Sequence, residues 1–103
     1  PAKGGSIPPG TAINDIIMYH YVYMLKTLEG FKNKTYVGYS IDIKSRLIKH
    51  NSSKGAKATR GYLWKIIFKK KFLTKSKAMS FEYKLKKDRN KRLSILKDSE
   101  FIL

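Results

Sequence analysis

Apolar and aromatic residues run through two short segments near the start of the chain, residues 19–25 and residues 35–39, and this composition is typical of β-strands. Residues 19–25 are aromatic and β-branched, as strands prefer. The odd-numbered side chains of this segment share one face: Tyr19, Tyr21, Tyr23 and Leu25. Residues 27–34 contain Gly30 and several polar side chains, so we expect a hairpin connection there and a returning strand over residues 35–39.

A helical pattern follows. Asp42 can cap a helix over residues 43–51, whose apolar stripe has three members: Ile43, Leu47 and Ile48. Residues 52–61 are rich in Lys, Gly and Ser, and the part from Gly55 to Gly61 has no packing stripe, which predicts a mobile loop. Residues 63–72 predict a third strand.

Two further helices are predicted after this strand. Thr74 or Ser76 begins the first, which continues to about Asp88 with an inward stripe: Ala78, Phe81 and Leu85. Residues 93–103 predict a short amphipathic helix. The order β-β-α-β-α-α indicates an α/β fold, more strictly α+β, in which helices flank a small three-stranded, largely antiparallel sheet.

The first 17 residues have no strand or helix period. They are rich in Gly and Pro and contain no methionine, so we interpret residues 1–17 as a flexible leader or an expression remnant, with Met18 as a candidate native start. Residues 18–103 then have room for one small domain.

Composition excludes several kinds of site. The chain has no cysteine, which rules out disulfides and thiolate zinc sites, and two histidines alone make a poor transition-metal site. No apolar run approaches the length of a membrane span. We therefore expect no membrane partner and a location in the cytoplasm, with the nucleus or a viral factory as alternatives.

The net charge of +16 is concentrated in one part of the chain. Residues 44–97 hold 19 of the 23 basic residues and only two acids, Glu82 and Asp88, so their local charge is +17. Such a field attracts a polyanion, and phosphate backbones are the commonest one. A merely lysine-rich surface and an anionic membrane surface are the alternatives.

The acids are informative because they are scarce. Cutting a phosphodiester bond needs an activated water, charge stabilisation on the phosphate and usually a divalent cation held by carboxylate oxygen. Glu82 alone falls in the middle of a predicted helix, beside the apolar stripe. A carboxylate there needs a cation, which either a metal ion or a neighbouring lysine can supply. Spacing alone slightly favours the lysine.

The first helix carries two more candidates. Arg46 and His50 lie four residues apart, hence on one face, and away from Leu47. Arginine can hold a phosphate with two hydrogen bonds and histidine can relay a proton, whereas a solvated helix face is the alternative. Four tyrosines on the paired strands have packing as their usual role and acid–base chemistry as a second one: Tyr21, Tyr23, Tyr36 and Tyr39.

Two short motifs on the paired strands resemble those that name the GIY-YIG nuclease family. Tyr21-Val22-Tyr23 stands where the family has Gly-Ile-Tyr, and Tyr36-Val37-Gly38 stands where it has Tyr-Ile-Gly. The resemblance covers about residues 19–88.

Three single residues and one loop extend the resemblance. Arg46 follows Tyr36 by the ten residues expected of the family's helix arginine, and His50 stands four residues later, where His or Tyr is usual. Glu82 falls where the family has its metal-binding glutamate. Residues 55–60, Gly-Ala-Lys-Ala-Thr-Arg, with Trp64 shortly after, are similar to a loop of small stand-alone bacterial members and of the catalytic subunit of the eukaryotic Holliday-junction-processing nuclease.

The resemblance implies a DNA endonuclease that hydrolyses phosphodiester bonds with one divalent ion, Mg²⁺ or Mn²⁺, held by Glu82. Tyr23 would deprotonate the attacking water, with His50 orienting it. Tyr36 and Arg46 would contact the scissile phosphate. We assign further DNA contacts to four residues: Tyr39, Lys49, Lys57 and Arg60. Gly38 would be structural and would let the sheet and a helix approach closely.

Some features depart from the family pattern. Tyr21 replaces Gly, as in the small stand-alone members, and Tyr39 replaces a Lys of the repair-incision branch. Asn90 is only the nearest candidate for the Asn that some members place after the glutamate. The absence of a Cys-rich zinc module separates the chain from the eukaryotic junction enzyme and favours a stand-alone monomer or weak homodimer.

The rival hypothesis is a module that keeps the fold and binds nucleic acid without cutting it. The positive field alone would hold branched DNA, duplex DNA or RNA. A module that only binds has no need to retain all five residues of the candidate site, which favours the enzyme.

Overall fold

The computed structural model describes residues 17–100. The elements in chain order are β1 (His20–Thr27), β2 (Thr35–Ser40), α1 (Ile43–Asn51), β3 (Trp64–Phe72), α2 (Lys75–Lys87) and α3 (Arg89–Ser99), with a single 3₁₀ turn at Lys57–Thr59. The sheet order is β2-β1-β3, and both pairings are antiparallel. The predicted α+β fold with its three-stranded antiparallel sheet is confirmed.

Strand β1 lies in the centre of the sheet and buries side chains on both faces. Tyr23 and Leu25 pack on the face that α1 covers, whereas Val22 and Met24 pack on the face that α2 and α3 cover. The two-residue period of a strand separates these pairs. Tyr23 lies opposite Gly38 of β2 in the sheet register. The sheet therefore sits between two helical layers, and the Tyr23 face is the one toward α1.

Helix α1 begins as predicted, because the Asp42 carboxylate accepts a hydrogen bond from the Ser45 N–H at 3.1 Å. Its predicted apolar stripe is wrong in one member, since Ile48 is 69% exposed. Ile43 and His50 are the two buried residues of the helix. A spacing of seven residues is about two helical turns, so Ile43 and His50 share the face that meets the sheet.

Asp88 joins α2 to α3. It ends α2, and its carboxylate accepts a hydrogen bond from the Lys91 N–H at 2.9 Å at the start of the next helix. The Arg92 guanidinium donates to the Leu85 carbonyl at 2.8 Å, which satisfies the end of α2. For these reasons α3 begins at Arg89, four residues before the predicted start.

The predicted leader, except Ile17, and the last residues of the predicted third helix lie outside residues 17–100. The division into a leader and a domain of residues 18–103 therefore stays a prediction. Within the described part of the chain, no helix has the length and the apolar content that crossing a membrane requires.

Candidate active site

Tyr23 and His50 form a hydrogen bond inside the protein. Tyr23 comes from the middle of β1 and His50 from the last turn of α1. The Tyr23 Oη atom lies 2.8 Å from the His50 Nε2 atom. The two residues are 1% and 0% exposed, so bulk solvent competes little for this hydrogen bond.

The second ring nitrogen of His50 has a partner in the 3₁₀ turn. His50 Nδ1 lies 2.8 Å from Thr59 Oγ1, and Thr59 is wholly buried. The Trp64 indole N–H donates to the Thr59 carbonyl at 3.0 Å. The prediction that this loop lacks packing is therefore wrong at Thr59. The predicted DNA contacts Lys57 and Arg60, at the first residue of the turn and directly after its last, are exposed.

Two glycines leave the space that this hydrogen-bonded pair occupies. A Cβ atom on Gly38 would stand 2.6 Å from Tyr23 Oη and 2.7 Å from Tyr23 Cζ. A Cβ atom on Gly55 would stand 2.5 Å from His50 Nδ1 and 3.1 Å from His50 Cα. We predicted that Gly38 would let a helix approach the sheet, but the group that crosses it is the ring of Tyr23 on the neighbouring strand.

Tyr36 and Arg46 complete this face of the site. The Tyr36 ring centroid lies 5.1 Å from that of His50. The Arg46 guanidinium is close enough to the Tyr23 hydroxyl to lower its pKa. The prediction that Arg46 and His50 face away from Leu47 is wrong, because His50 points inward and Leu47 packs against the same cluster as Tyr23. His50 can point inward since both of its ring nitrogens find partners there.

The site keeps Tyr23 protonated and His50 neutral near neutral pH. Burial raises the pKa of Tyr23 to about 12, with smaller contributions from Tyr36 and Glu82, and Arg46 opposes them. Burial also lowers the pKa of His50 below its ordinary value of 6.5, and the positive charge of Arg46 lowers it further. The hydrogen bond thus joins a neutral phenol to a neutral imidazole.

Glu82 comes from α2 and is buried to 9% exposure, as the sequence predicted from its place beside Ala78 and Leu85. Its Oε2 atom lies 3.6 Å from the Lys86 Nζ atom, and Lys86 is half-exposed. Within residues 17–100, no hydrogen bond joins a protein donor to either Glu82 oxygen. Lys86 is thus the one charged partner of this carboxylate among residues 17–100.

The remaining predicted residues divide between two faces. Lys49 lines a shallow depression of about 190 Å³ together with Arg46 and Ser45. Tyr39 packs instead against the core cluster of the opposite face, where its hydroxyl lies 2.7 Å from His20 Nδ1. The structure therefore does not bring Tyr39 together with Tyr23 and His50.

Thr59, Gly55 and Lys69 belong to this face and were not among the predicted site residues. Lys69 is exposed on β3 and lies opposite Tyr23 in the sheet register. Thr59 and Gly55 lie in the loop of residues 55–60, whose resemblance to other small nucleases was the available signal. The spacing of residues in the sequence does not predict that this loop contacts His50.

Comparison with known proteins gives a family match over most of the chain. The family model described as the GIY-YIG catalytic domain matches residues 19–94. That range contains Tyr23, Tyr36, Arg46, His50 and Glu82.

Several bacterial UPF0213 proteins are similar to this chain. The one from Staphylococcus saprophyticus is 37% identical over 81 residues, which cover 77% of this chain and 95% of the relative. The one from Oceanobacillus iheyensis is 41% identical over 68 residues, covering 65% and 76%. The solution NMR structure of the UPF0213 protein BH0048 from Bacillus halodurans is 38% identical, covers 78% of this chain and 84% of its own, and has a TM-score of 0.46.

The crossing of Tyr23 over Gly38 predicts a specific loss on substitution. Gly38→Ala should lower the free energy of unfolding by about 1–3 kcal/mol, because the new Cβ atom overlaps a buried ring that cannot move freely. Urea denaturation measures this loss. In a Tyr23→Leu background, where no aromatic ring crosses Gly38, the same substitution should cost much less. An equal cost in both backgrounds would contradict the contact.

The lowered pKa of His50 predicts a pH dependence of stability. The unfolded chain binds a proton at His50 near pH 6.5, whereas the folded chain binds it only at lower pH. The contribution of neutral His50 is therefore fully present above pH 6.5 and is lost as the pH falls toward the folded pKa. Urea denaturation between about pH 8 and about pH 5 measures the decrease. His50→Gln should flatten it, and His20→Gln, which leaves His50 in place, should not; equal slopes for wild type and His50→Gln would refute the assignment.

Proposed function

The chain belongs to the GIY-YIG catalytic domain family, and on that premise we propose that it is a metal-dependent endonuclease that hydrolyses phosphodiester bonds in DNA. The observation that carries the proposal is the buried Tyr23–His50 hydrogen bond beside Arg46. A protein that only binds DNA does not need a buried acid–base pair on the face that carries its cations.

Tyr23 is the group proposed to take the proton of the attacking water. With a pKa near 12 it is a phenol in the resting protein, so it cannot act as a preformed phenolate. It can accept the water's proton only as its own proton passes to His50 Nε2, 2.8 Å away. Water then loses one proton, His50 gains one, and Tyr23 is neutral before and after. This relay requires that His50 Nε2 carries a lone pair.

Arg46 is proposed to stabilise the phosphate as charge develops on it. Its guanidinium lies beside Tyr23, so a phosphate attacked by water at Tyr23 would be within its reach. A fixed donor of this kind acts mainly in the transition state and is typically worth roughly a hundredfold to a thousandfold in rate. Tyr36, whose ring adjoins His50, is proposed to contact the same phosphate.

Glu82 is the proposed ligand of the divalent ion, Mg²⁺ or Mn²⁺. Residues 17–100 contain no group of three or more His, Cys, Asp or Glu side chains arranged around one metal position. A single carboxylate fits Mg²⁺, which commonly keeps several waters and takes its other ligands from substrate phosphate. A bound divalent ion supplies positive charge to the phosphate and lowers the pKa of water. The carboxylate lies close enough to Tyr23 to raise its pKa, which supports placing both in one site.

The DNA is proposed to lie across the α1 face of the protein, with Glu82 of α2 near enough to Tyr23 to act at the same site. Lys49 borders the depression beside Arg46, and Lys69 lies opposite Tyr23. Lys57 begins the turn that holds His50, and Arg60 directly follows it. These four exposed cations surround the proposed site of cleavage. A contact between DNA and Tyr39 would belong to the other face of the sheet. Since the relatives described above come from bacteria, we propose the bacterial cytoplasm as the place of action rather than a nucleus or a viral factory.

The proposal is tested most sharply at Glu82. Glu82→Gln keeps the shape of the side chain and removes the charge that holds a cation, so cleavage of linear, flap and four-way DNA should be lost at any practical Mg²⁺ or Mn²⁺ concentration. DNA should bind at least as tightly, because a negative charge has been removed from the binding surface. Stability should change by no more than about 1 kcal/mol, since the lost partner, Lys86, is half-exposed.

Glu29→Gln is the matched control, because Glu29 is an exposed acid of the β1–β2 connection and its loss should leave cleavage unchanged. Cleavage rate, DNA affinity and melting temperature are measured on both variants. A Glu82→Gln protein that still cuts would remove Glu82 from the active site. One that fails to fold would favour a structural ion pair with Lys86.

A further inference from the structure

We propose that Thr59 is a positioning residue that fixes His50 in the tautomer with a proton on Nδ1 and a lone pair on Nε2. The hydroxyl group of Thr59 is the only contact of His50 Nδ1 among the hydrogen bonds of residues 17–100. The role of this tautomer in cleavage rests on the proposed nuclease function, whereas the tautomer itself does not.

The Thr59 hydroxyl uses its proton in a hydrogen bond to a backbone carbonyl group. Thr59 Oγ1 lies 2.8 Å from the Ala56 carbonyl oxygen. A carbonyl can only accept, so the Thr59 hydroxyl must donate to it. Without a proton between them, two oxygen atoms at that distance would repel each other. Having used its one proton, Thr59 Oγ1 can only accept from His50 Nδ1, at 2.8 Å, and Nδ1 must therefore carry a hydrogen.

The protonation state of His50 Nε2 follows from that of Nδ1. A neutral imidazole has one N–H, and burial lowers the pKa of His50, which favours the neutral form. With the hydrogen on Nδ1, Nε2 has a lone pair and accepts the Tyr23 O–H, 2.8 Å away. A chain of hydrogen bonds thus runs in one direction, from Tyr23 to His50 to Thr59 to the Ala56 carbonyl. This is the arrangement that the proposed proton relay requires.

The turn that carries Thr59 is held independently of His50. The Thr59 N–H also donates to the Ala56 carbonyl, at 3.0 Å, and the Trp64 indole donates to the Thr59 carbonyl. The Asn51 side chain accepts from the Trp64 N–H at 2.7 Å and donates to the Trp64 carbonyl at 3.2 Å. The Thr59 hydroxyl is therefore presented to His50 by a turn that is tied to both α1 and β3. Orientation of a histidine by a second group is a general way to fix its tautomer.

Two substitutions distinguish the effect of the Thr59 hydroxyl group from the effect of the shape of the side chain. Thr59→Val keeps the branched side chain and removes the acceptor, and Thr59→Ser keeps the acceptor and removes one methyl group. If Thr59 acts only by packing, Val should be the better replacement. If Thr59 acts through its hydroxyl group, Ser should be the better replacement.

NMR of protein with ¹⁵N-labelled histidine measures the tautomer directly, at a pH above the pKa of His50, where the imidazole is neutral. The wild type should show a protonated Nδ1 and an unprotonated Nε2 at His50, with His20→Gln used to assign the two histidines. Thr59→Ser should keep this pattern, and Thr59→Val should shift it toward protonated Nε2. A wild-type protein with protonated Nε2, or a Thr59→Val protein with the wild-type pattern, would overturn the proposal. The wild-type spectrum decides the tautomer even if Thr59→Val fails to fold.

Single-turnover cleavage then measures the catalytic consequence. Thr59→Val should cut DNA roughly a hundredfold or more slowly than wild type while binding it equally well, and Thr59→Ser should recover most of the rate. A Thr59→Val protein with the altered tautomer and the wild-type rate would overturn the positioning role. If wild-type protein cuts no DNA at all, the proposed nuclease function fails, and the NMR measurement still decides what Thr59 does to His50.

Discussion

The hydrogen bond between Tyr23 and His50 forms in the interior of the protein, where the two residues are 1% and 0% exposed. Leaving a buried polar group of this kind without a partner costs about 1–3 kcal/mol. Tyr23 therefore requires His50 from α1, and His50 in turn requires Thr59 from the 3₁₀ turn. Gly38 and Gly55 supply the space for the two rings. One chain of contacts thus fixes the central strand, the first helix and the following loop relative to each other.

The charges of the protein are arranged around this neutral pair. A net charge of +16 would be expected to favour ionised tyrosine and to oppose protonated histidine. Burial also opposes protonation of His50, so there it acts in the same direction as the positive charge. At Tyr23 burial outweighs the positive charge, since the pKa of Tyr23 rises to about 12 even with Arg46 beside it. Arg46 is partly buried and the other cations near the site are exposed, whereas Glu82 is the only buried acid in the described part of the chain. Exposed cations that can attract a polyanion thus lie beside a buried pair that stays neutral.

The regular elements could be predicted from the sequence because their signals are local. Asp42 and Thr74 cap their helices as expected. The two-residue period of β1 correctly predicts that Tyr21, Tyr23 and Leu25 lie on one face of the sheet. The inward face of α1 could not be predicted, since a polar His50 is expected on a solvated face. Its partners are 27 residues before it and nine residues after it, and only the fold brings them together. The catalytic roles of the site residues stay predictions.

Tyr23→Phe tests the central claim, that the Tyr23–His50 pair is an acid–base pair rather than a packing contact. Phenylalanine keeps the ring that crosses Gly38 and removes only the hydroxyl that bonds to His50. The measurement is single-turnover DNA cleavage in Mg²⁺ or Mn²⁺, with DNA affinity determined in parallel. We expect unchanged affinity and a rate lower by roughly a hundredfold or more. Cleavage by Tyr23→Phe at the wild-type rate would contradict the account.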